Sequence, residues 1–398
     1  MKKWLVLLLI VAVLPACTLK QAVRSGIDIA SSKDPGKALE RSSAAFAKQK
    51  AVQYAEDPAR IERDMKLMKA EYDKVMDALY KAVGKEWGKK ETKAPSKKEY
   101  VKYAQNYKSR AIVDFDKLSV TVETLVAEKH NESLRNAIIT TLLTPDDPRS
   151  VDLFSDKEVE LKGRPYLSGM VLDQNGKSIS DRARAEAFAD WLVKNEVKKR
   201  NINFGDWDKT AYYVEFPLIK NFSHKKAEEF RPIVAKYSKK LNVSESLIFA
   251  FIRTESNFNP FAMSNVPAYG MMQLVPSSGG RDAYRRAKGL DEAPTKDYLF
   301  NAENNIELGT TYVSLLRDEY FSGVENMTSR EYCVISGYNT GSGNVLKTFS
   351  KNRKDALSAI NSMQPPQVYE KLRSSLPYEE TRQYLARVVG FRKDFLSN

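Results

Sequence analysis

The sequence has few of the residues on which metal sites and disulfide scaffolds depend. It contains two cysteines and two histidines in 398 residues. These counts exclude a disulfide-dense scaffold and a four-cysteine zinc site, and they argue against a histidine-rich metal site. No phosphate-binding glycine loop is present. We therefore expect neither a metal nor another cofactor. A mean hydropathy of −0.49 excludes a polytopic membrane protein.

Positive charge, in contrast, is in surplus. Lys and Arg number 64 against 51 Asp and Glu, which gives a formal net charge of +13. Hydrophobic residues make up 42% of the chain, an ordinary value for a globular protein, and the length suits two domains or one large one. The surplus predicts an anionic partner, but composition leaves open nucleic acid, phospholipid or an acidic polymer.

The first residues predict export. Lys2 and Lys3 precede an unbroken apolar stretch, Trp4–Leu14, which is shorter than the roughly 20 residues of a membrane-spanning helix. A buried N-terminal helix is disfavoured because polar residues follow at once without an amphipathic pattern. The next residues, Leu14-Pro15-Ala16-Cys17, resemble a bacterial lipobox, in which the cysteine is acylated and becomes the new N-terminus.

We therefore predict a signal peptide over residues 1–16 and a lipidated tether over residues 17–48, with plain secretion as the alternative. Two or three acyl chains on Cys17 would anchor the protein stably. Thr18 is not the aspartate typical of inner-membrane retention, which favours an outer-membrane lipoprotein facing the periplasm. Export also argues against nucleic acid as the anionic partner.

An α+β domain is predicted over residues 49–225. Apolar residues from Ile61 to Leu79 recur at helical spacing. Alternating, β-branched segments predict strands, and one further helix lies between them. The predicted strands are Ala111–Asp116, Leu118–Val126, Tyr166–Leu172 and Ala211–Ile219, and the helix is Arg182–Lys198.

The lysine-rich segment Lys85–Lys102 has two interpretations. It carries seven Lys against three Glu, together with Gly88 and Pro95. A solvated loop is the simpler prediction, and a surface for an acidic polymer is the alternative.

An all-α domain is predicted over residues 226–398, because helical patterns follow one another without a convincing strand. They cover residues 226–240, 244–256, 303–320, 329–339, 366–374 and 378–394.

Glu255 is the candidate general acid. Ser244 is suited to cap a helix whose positions 247, 248, 251, 252 and 255 form one stripe. The first four are apolar, so the Glu255 carboxyl would point into apolar surroundings near a helix C-terminus. Both conditions favour the protonated carboxyl. A glutamate that frays into solvent is the alternative from this geometry.

Three short motifs follow the same order along the chain. Glu255-Ser256 leads to Phe258-Asn259-Pro260, then come Gly270-Met271-Met272-Gln273 and, much later, Gly337-Tyr338-Asn339. Together they resemble the motifs of lysozyme-like lytic murein transglycosylases, over roughly residues 228–398. Further stretches similar to membrane-bound members of this family are Thr295–Gly309, Ser329–Phe349 and Ile360–Tyr369.

The resemblance implies a goose-type lysozyme-like catalytic domain, the SLT domain, that acts on peptidoglycan glycan strands. Its reaction would cleave the β-1,4 bond between N-acetylmuramic acid and N-acetylglucosamine and leave a 1,6-anhydromuramoyl end. Glu255 would act first as acid and then as base. The alternatives are a hydrolase of lysozyme type and a non-catalytic wall-binding lipoprotein. Other cell-wall enzymes are candidate partners.

The resemblance also implies six substrate-binding residues: Ser264, Gln273, Tyr338, Asn339, Glu380 and Tyr384. The Tyr338 phenol is expected to orient Glu255 and the N-acetyl group of the sugar. Plain structural roles are the alternatives: a loop amide for Gln273, a core ring for Tyr338, and a surface pair for Glu380 and Tyr384. Gly337 replaces the family's alanine.

A second carboxylate would change the reaction class, because ordinary glycosidases use two. No Asp or Glu occurs between Ser256 and Arg281. Glu303, Glu307 and Glu380 remain candidates, so the sequence alone leaves this point open.

Overall fold

The computed structural model describes residues 59–204, 208–264 and 267–396, without the side chains of 59–65, 67 and 68. The predicted signal peptide, Cys17 and the tether lie outside these residues. No helix within them is long and apolar enough to span a bilayer.

The first part of the described chain is a five-stranded antiparallel sheet with helices. The elements of this part are α1 (Ala59–Trp87), β1 (Glu99–Ala104), β2 (Ser109–Asp114), β3 (Ser119–Thr124), α2 (His130–Leu143), α3 (Arg182–Asn195), β4 (Lys198–Asn203) and β5 (Asp208–Pro217). The strands lie in the order β1-β2-β3-β5-β4 across the sheet.

The rest of the described chain is helical, with isolated bridges but no strand. Its helices are α4 (Phe222–Leu241), α5 (Glu245–Glu255), α6 (Gly279–Lys288), α7 (Lys296–Phe300), α8 (Ala302–Leu315), α9 (Met327–Thr340), α10 (Ser342–Lys347), α11 (Arg353–Asn361), α12 (Pro365–Ser375) and α13 (Glu379–Arg392). The predicted order, an α+β domain followed by an all-α domain, is confirmed. The division at residue 225 stays a prediction, and α4 runs through it.

Alternation along the strands gives the sheet two buried faces. Ile112 of β2 packs with Val83 and Trp87 of α1 on one face, whereas Val113 faces the other way, into the main core. That main core continues without a break into the helical domain.

Aromatic rings join the two domains inside this core. The ring of Phe261, from the helical domain, lies 5.0 Å from Tyr100 and 5.1 Å from Tyr166, centroid to centroid. Both tyrosines belong to the sheet domain and are 1% exposed. Such pairs favour tilted and edge-to-face geometries, as here. The sheet and the helices therefore share one hydrophobic core.

The prediction of a solvated loop over Lys85–Lys102 was wrong. This segment contains the end of α1, a 3-10 turn and most of β1. Two of its lysines are bonded within the protein: the Lys102 ammonium donates to the Ser155 carbonyl at 2.6 Å, and that of Lys98 donates to the Arg253 carbonyl at 2.8 Å. Lys102 is 5% exposed, whereas Lys85, Lys89, Lys90 and Lys93 are exposed as a solvated segment would have them.

Two further boundaries differ from prediction. Tyr166–Leu172 is not a strand: its backbone combines local turns, with Gly169 at φ +74°, and bonds to the distant Thr144 and Ile219. Most of its apolar side chains fill the shared core. The helix predicted to reach Lys198 ends at Asn195, and Lys198 begins β4.

Candidate active site

Helix α5 places Glu255 at its last position. The helix is buried on nearly all sides and not along a single stripe. Ser244 occupies the N-cap position, but its hydroxyl makes no capping bond. The chain turns sharply after Glu255, with Asn257 and Phe258 at φ +47° and +63°. As a result, the Glu255 carboxyl does not fray into solvent, and the residue is 5% exposed.

The Glu255 carboxyl has two polar neighbours. The Tyr384 hydroxyl donates to Oε1 at 2.7 Å, and the Lys97 ammonium lies 3.8 Å from Oε2. Burial raises the pKa of Glu255, and Lys97, Tyr384 and Lys98 oppose that rise only in part. The protein therefore holds the protonated carboxyl at a higher pH than water would.

Only one of the three other candidate carboxylates is close to Glu255. Glu303 is bonded to Lys236 at 2.6 Å, and Glu307 to Lys288 at 2.6 Å. Glu380 Oε1, in contrast, lies 3.8 Å from the Lys97 ammonium that also faces Glu255. No group of His, Cys, Asp and Glu in the described ranges could hold a metal ion.

The hydrogen bonds of the two tyrosines differ from those expected. Tyr338 donates to the Met272 carbonyl at 2.8 Å and not to Glu255. Tyr384, expected only to line the cleft, makes the hydrogen bond to Glu255. Tyr338 acts on the turn instead, because its bond fixes the backbone at Met272.

Gly337 and Asn339, the neighbours of Tyr338 on α9, are also in close contact with other parts of the domain. Asn339 accepts a hydrogen bond from the Thr381 hydroxyl at 2.6 Å, which joins α9 to α13. At Gly337, the Cβ of an alanine would lie 2.8 Å from the Phe321 ring. This contact gives a packing reason for glycine at that position.

The turn around Gly270 presents Gln273. The Gln273 amide donates through Nε2 to the Gly270 carbonyl at 2.9 Å. Its Oε1 is buried and has no hydrogen-bond partner among the described residues. A buried acceptor without a donor is costly, so this oxygen calls for a donor that the described residues do not supply. The Nε2 end of Gln273 therefore makes the backbone bond expected of a loop amide, whereas the Oε1 end does not.

Asn305 of α8 braces the same turn. Its Oδ1 accepts from the Met272 amide at 2.8 Å, and its Nδ2 donates to the carbonyls of Tyr269 and Leu299, both at 2.9 Å. Sequence analysis missed this residue, and its place in the Thr295–Gly309 stretch, which resembles the family, was the one signal for it.

Ser264 lies at the edge of a gap in the described chain. Its amide donates to the Ala268 carbonyl at 3.3 Å, so it belongs to the same turn region. Its predicted closeness to the substrate stays a prediction.

Sequence analysis also missed the sheet domain's part in the site. Lys97 and Lys98 come from the segment predicted to be a solvated loop. The neighbouring Tyr100, Val101 and Tyr103 are strong strand formers and could have indicated β1.

Two family models together match most of the chain. The first, described as the N-terminal domain of membrane-bound lytic murein transglycosylase C, matches residues 60–229. The second, described as the transglycosylase SLT domain, matches residues 232–361.

Full-length relatives agree with these models. The membrane-bound lytic murein transglycosylase C of Yersinia enterocolitica is 41% identical over 310 residues, which cover 78% of this chain and 85% of that protein. The protein of the same name from Pectobacterium atrosepticum is 40% identical over 325 residues, which cover 81% of this chain and 90% of that protein. Among solved structures, the lytic transglycosylase Slt of Pseudomonas aeruginosa is 26% identical and covers 41% of this chain and 23% of that one. The TM-score of this comparison is 0.31.

Gly270→Ala should unfold the turn that carries Gln273. Gly270 has φ +76°, and a Cβ there would lie 2.4 Å from the Leu299 carbonyl oxygen. We expect a loss of about 2–5 kcal/mol in the free energy of unfolding, from left-handed strain plus overlap. Denaturant titration measures it.

Gly289→Ala is the matched control, since Gly289 also has a positive φ of 70° but nothing within 4 Å of an added Cβ. It should cost only the strain, about 1–2 kcal/mol. Equal losses in the two variants would contradict this account of the turn.

Proposed function

The chain belongs to the membrane-bound lytic murein transglycosylase C family and is a peptidoglycan lytic transglycosylase; we propose that Glu255 carries its reaction. The observation that supports this assignment is the buried carboxyl at the end of α5, with its raised pKa and its hydrogen bond from Tyr384. An acid with a raised pKa remains protonated near the pH at which it must donate.

In the first step, protonated Glu255 donates its proton to the glycosidic oxygen between N-acetylmuramic acid and N-acetylglucosamine. The bond from the muramic C1 to that oxygen breaks, and N-acetylglucosamine leaves with the proton. The muramic N-acetyl oxygen attacks C1 and forms a bicyclic cation. The substrate thus supplies the nucleophile that a second carboxylate provides in retaining glycosidases.

In the second step, the Glu255 carboxylate takes the proton from the muramic C6 hydroxyl. The C6 oxygen attacks C1, the bond to the N-acetyl oxygen breaks, and a 1,6-anhydromuramoyl end forms. Glu255 is then protonated again. No water is consumed, so one buried carboxyl suffices for both steps.

The residues around Glu255 supply contacts for the substrate. We assign Gln273 Oε1 to a donor on the glycan, such as the N–H of an N-acetyl group, because the described part of the chain gives that oxygen no partner. Tyr384 holds the Glu255 carboxyl in place. The remaining assigned contacts are Ser264, Tyr338, Asn339 and Glu380, with Tyr338 acting through the Met272 backbone.

The net charge suits this substrate, since the lactyl and peptide carboxylates of peptidoglycan are anionic. For membrane association we propose the lipid route: acylated Cys17 anchors the protein in the outer membrane, facing the periplasm. The tether over residues 17–48 would let the catalytic domain reach the wall, where other cell-wall enzymes are candidate partners.

Glu255→Gln should abolish cleavage of purified sacculi by the full chain in detergent. We expect kcat to fall at least about 100-fold, because the amide can neither donate nor accept the required proton. Wild-type products, analysed by mass, should carry anhydro ends, one water lighter than reducing ends.

Glu303→Gln, which alters a surface ion pair with Lys236, is the matched control and should retain activity. Full activity of Glu255→Gln would overturn the assignment of Glu255. Reducing ends from the wild type would indicate a hydrolase of lysozyme type.

Cys17→Ser should release the protein from the membrane fraction, because serine cannot form the thioether that carries the lipid. Incorporation of labelled palmitate should be lost as well. Thr18→Ser, which leaves the cysteine in place, is the control and should remain membrane-bound. A membrane-bound Cys17→Ser protein would argue against this anchor.

A further inference from the structure

A short segment of the sheet domain is bonded to the end of the helix that carries Glu255. The Lys98 ammonium donates to the Arg253 carbonyl in the last turn of α5, at 2.8 Å, and also pairs with Asp116 at 3.1 Å. The Asn259 amide donates to the carbonyl of Lys97 at 3.2 Å. These two bonds hold the backbone at Lys97 and Lys98 next to the end of α5, and thus bring Lys97 close to Glu255.

A second contact fixes the sheet from the other side. The Asn257 amide donates to the Phe115 carbonyl at 2.5 Å, and its oxygen accepts from the Ser223 hydroxyl at 2.7 Å. Asn257 and Asn259 come directly after Glu255 in the chain. The turn that ends α5 is thus held by the sheet domain at two places.

Between these contacts, Lys97 faces two carboxyl groups. Its ammonium lies 3.8 Å from Glu255 Oε2 and 3.8 Å from Glu380 Oε1. The side chain of Glu255 is 6% exposed, whereas that of Glu380 is 67% exposed. One cation therefore stands between a buried and a solvated carboxyl group.

We propose that Lys97 is a positioning residue for the reaction: the sheet domain places its ammonium between Glu255 and Glu380 and thereby sets the charge state of the catalytic carboxyl. The proposal deepens the proposed function and rests on Glu255 being the acid.

The position of the ammonium suits both steps of the reaction. Before cleavage, it limits the rise in the pKa of Glu255 that burial and Glu380 cause, so that the carboxyl can still give up its proton. After proton donation, it stabilises the new carboxylate in a buried place, where an unpaired charge is costly. Lys97 would thus ease the change of Glu255 from acid to base without touching the bond that breaks.

Several other groups face the same carboxyl and must be held constant in a test. Lys98 belongs to the sheet domain and Tyr338 to α9. Helix α13 contributes Glu380, Tyr384 and Arg387, which lies beyond Tyr384. Lys97 opposes the effect of burial on the pKa of Glu255 more than any other of them. Its loss should let that pKa rise further.

The test is the pH profile of kcat/KM for Lys97→Met and Lys97→Gln, with the full chain in detergent and purified sacculi. Activity of the wild type falls on the basic side as Glu255 loses its proton. Removing Lys97 should move this basic limb to higher pH, and Lys97→Arg should restore it. The loss in the neutral variants should appear in kcat more than in KM.

Lys129→Met is the matched control, because Lys129 lies at the same 3.8 Å from a glutamate, Glu132, on the exposed surface. Its basic limb should not move. Lys97 is about one-third exposed and its pairs are long, so its neutral variants should fold, which thermal unfolding checks.

A basic limb that stays in place in both neutral variants would overturn the role of Lys97. If Glu255→Gln is inactive at the same time, the proposed function itself stands. Should Glu255→Gln retain activity, both proposals fail together.

Discussion

The structure depends on keeping one carboxyl group out of water at the junction of two domains. An ionised carboxylate in such a place costs several kcal/mol unless it is paired, so the protein must either neutralise it or supply partners. Glu255 has both: burial favours its protonated form, and Tyr384 and Lys97 face its two oxygens. The same balance is what an acid that later acts as a base requires.

Both domains contribute to the surroundings of Glu255. Helix α5 is buried on nearly all sides, and the turn that follows it is bonded to the carbonyls of Lys97 and Phe115 in the sheet domain. The rings of Tyr100, Tyr166 and Phe261 continue this contact as one core. Two family models meet within α4, yet the core and the contacts around Glu255 cross that division.

The periodicity of apolar residues predicted the elements that are determined by neighbouring residues in the chain. Strong periodicity predicted the helical domain, the helix that ends at Glu255, and strands β2, β3 and β5. The structure contains each of these elements. These features depend on residues close together in the chain.

Long-range contacts were beyond that reasoning. Lys97 and Lys102 lie in a charged segment whose partners are far away in the sequence, so these contacts could not be read from composition. Tyr166–Leu172 is rich in apolar residues, but in the structure these fill the shared core from a segment of turns. The hydrogen bonds of Tyr338 and Tyr384 depend on how α9 and α13 pack, which no single motif encodes.

The most direct test of this account compares the unfolding free energy of the wild type and of Glu255→Gln across pH. Because the folded protein raises the pKa of Glu255, the stability that the protonated group contributes is full below its unfolded pKa and is lost as pH rises through its folded pKa. The account predicts that Glu255→Gln gains stability relative to the wild type as pH rises from acidic to neutral. A difference that stays constant with pH, or changes with the opposite sign, would contradict it.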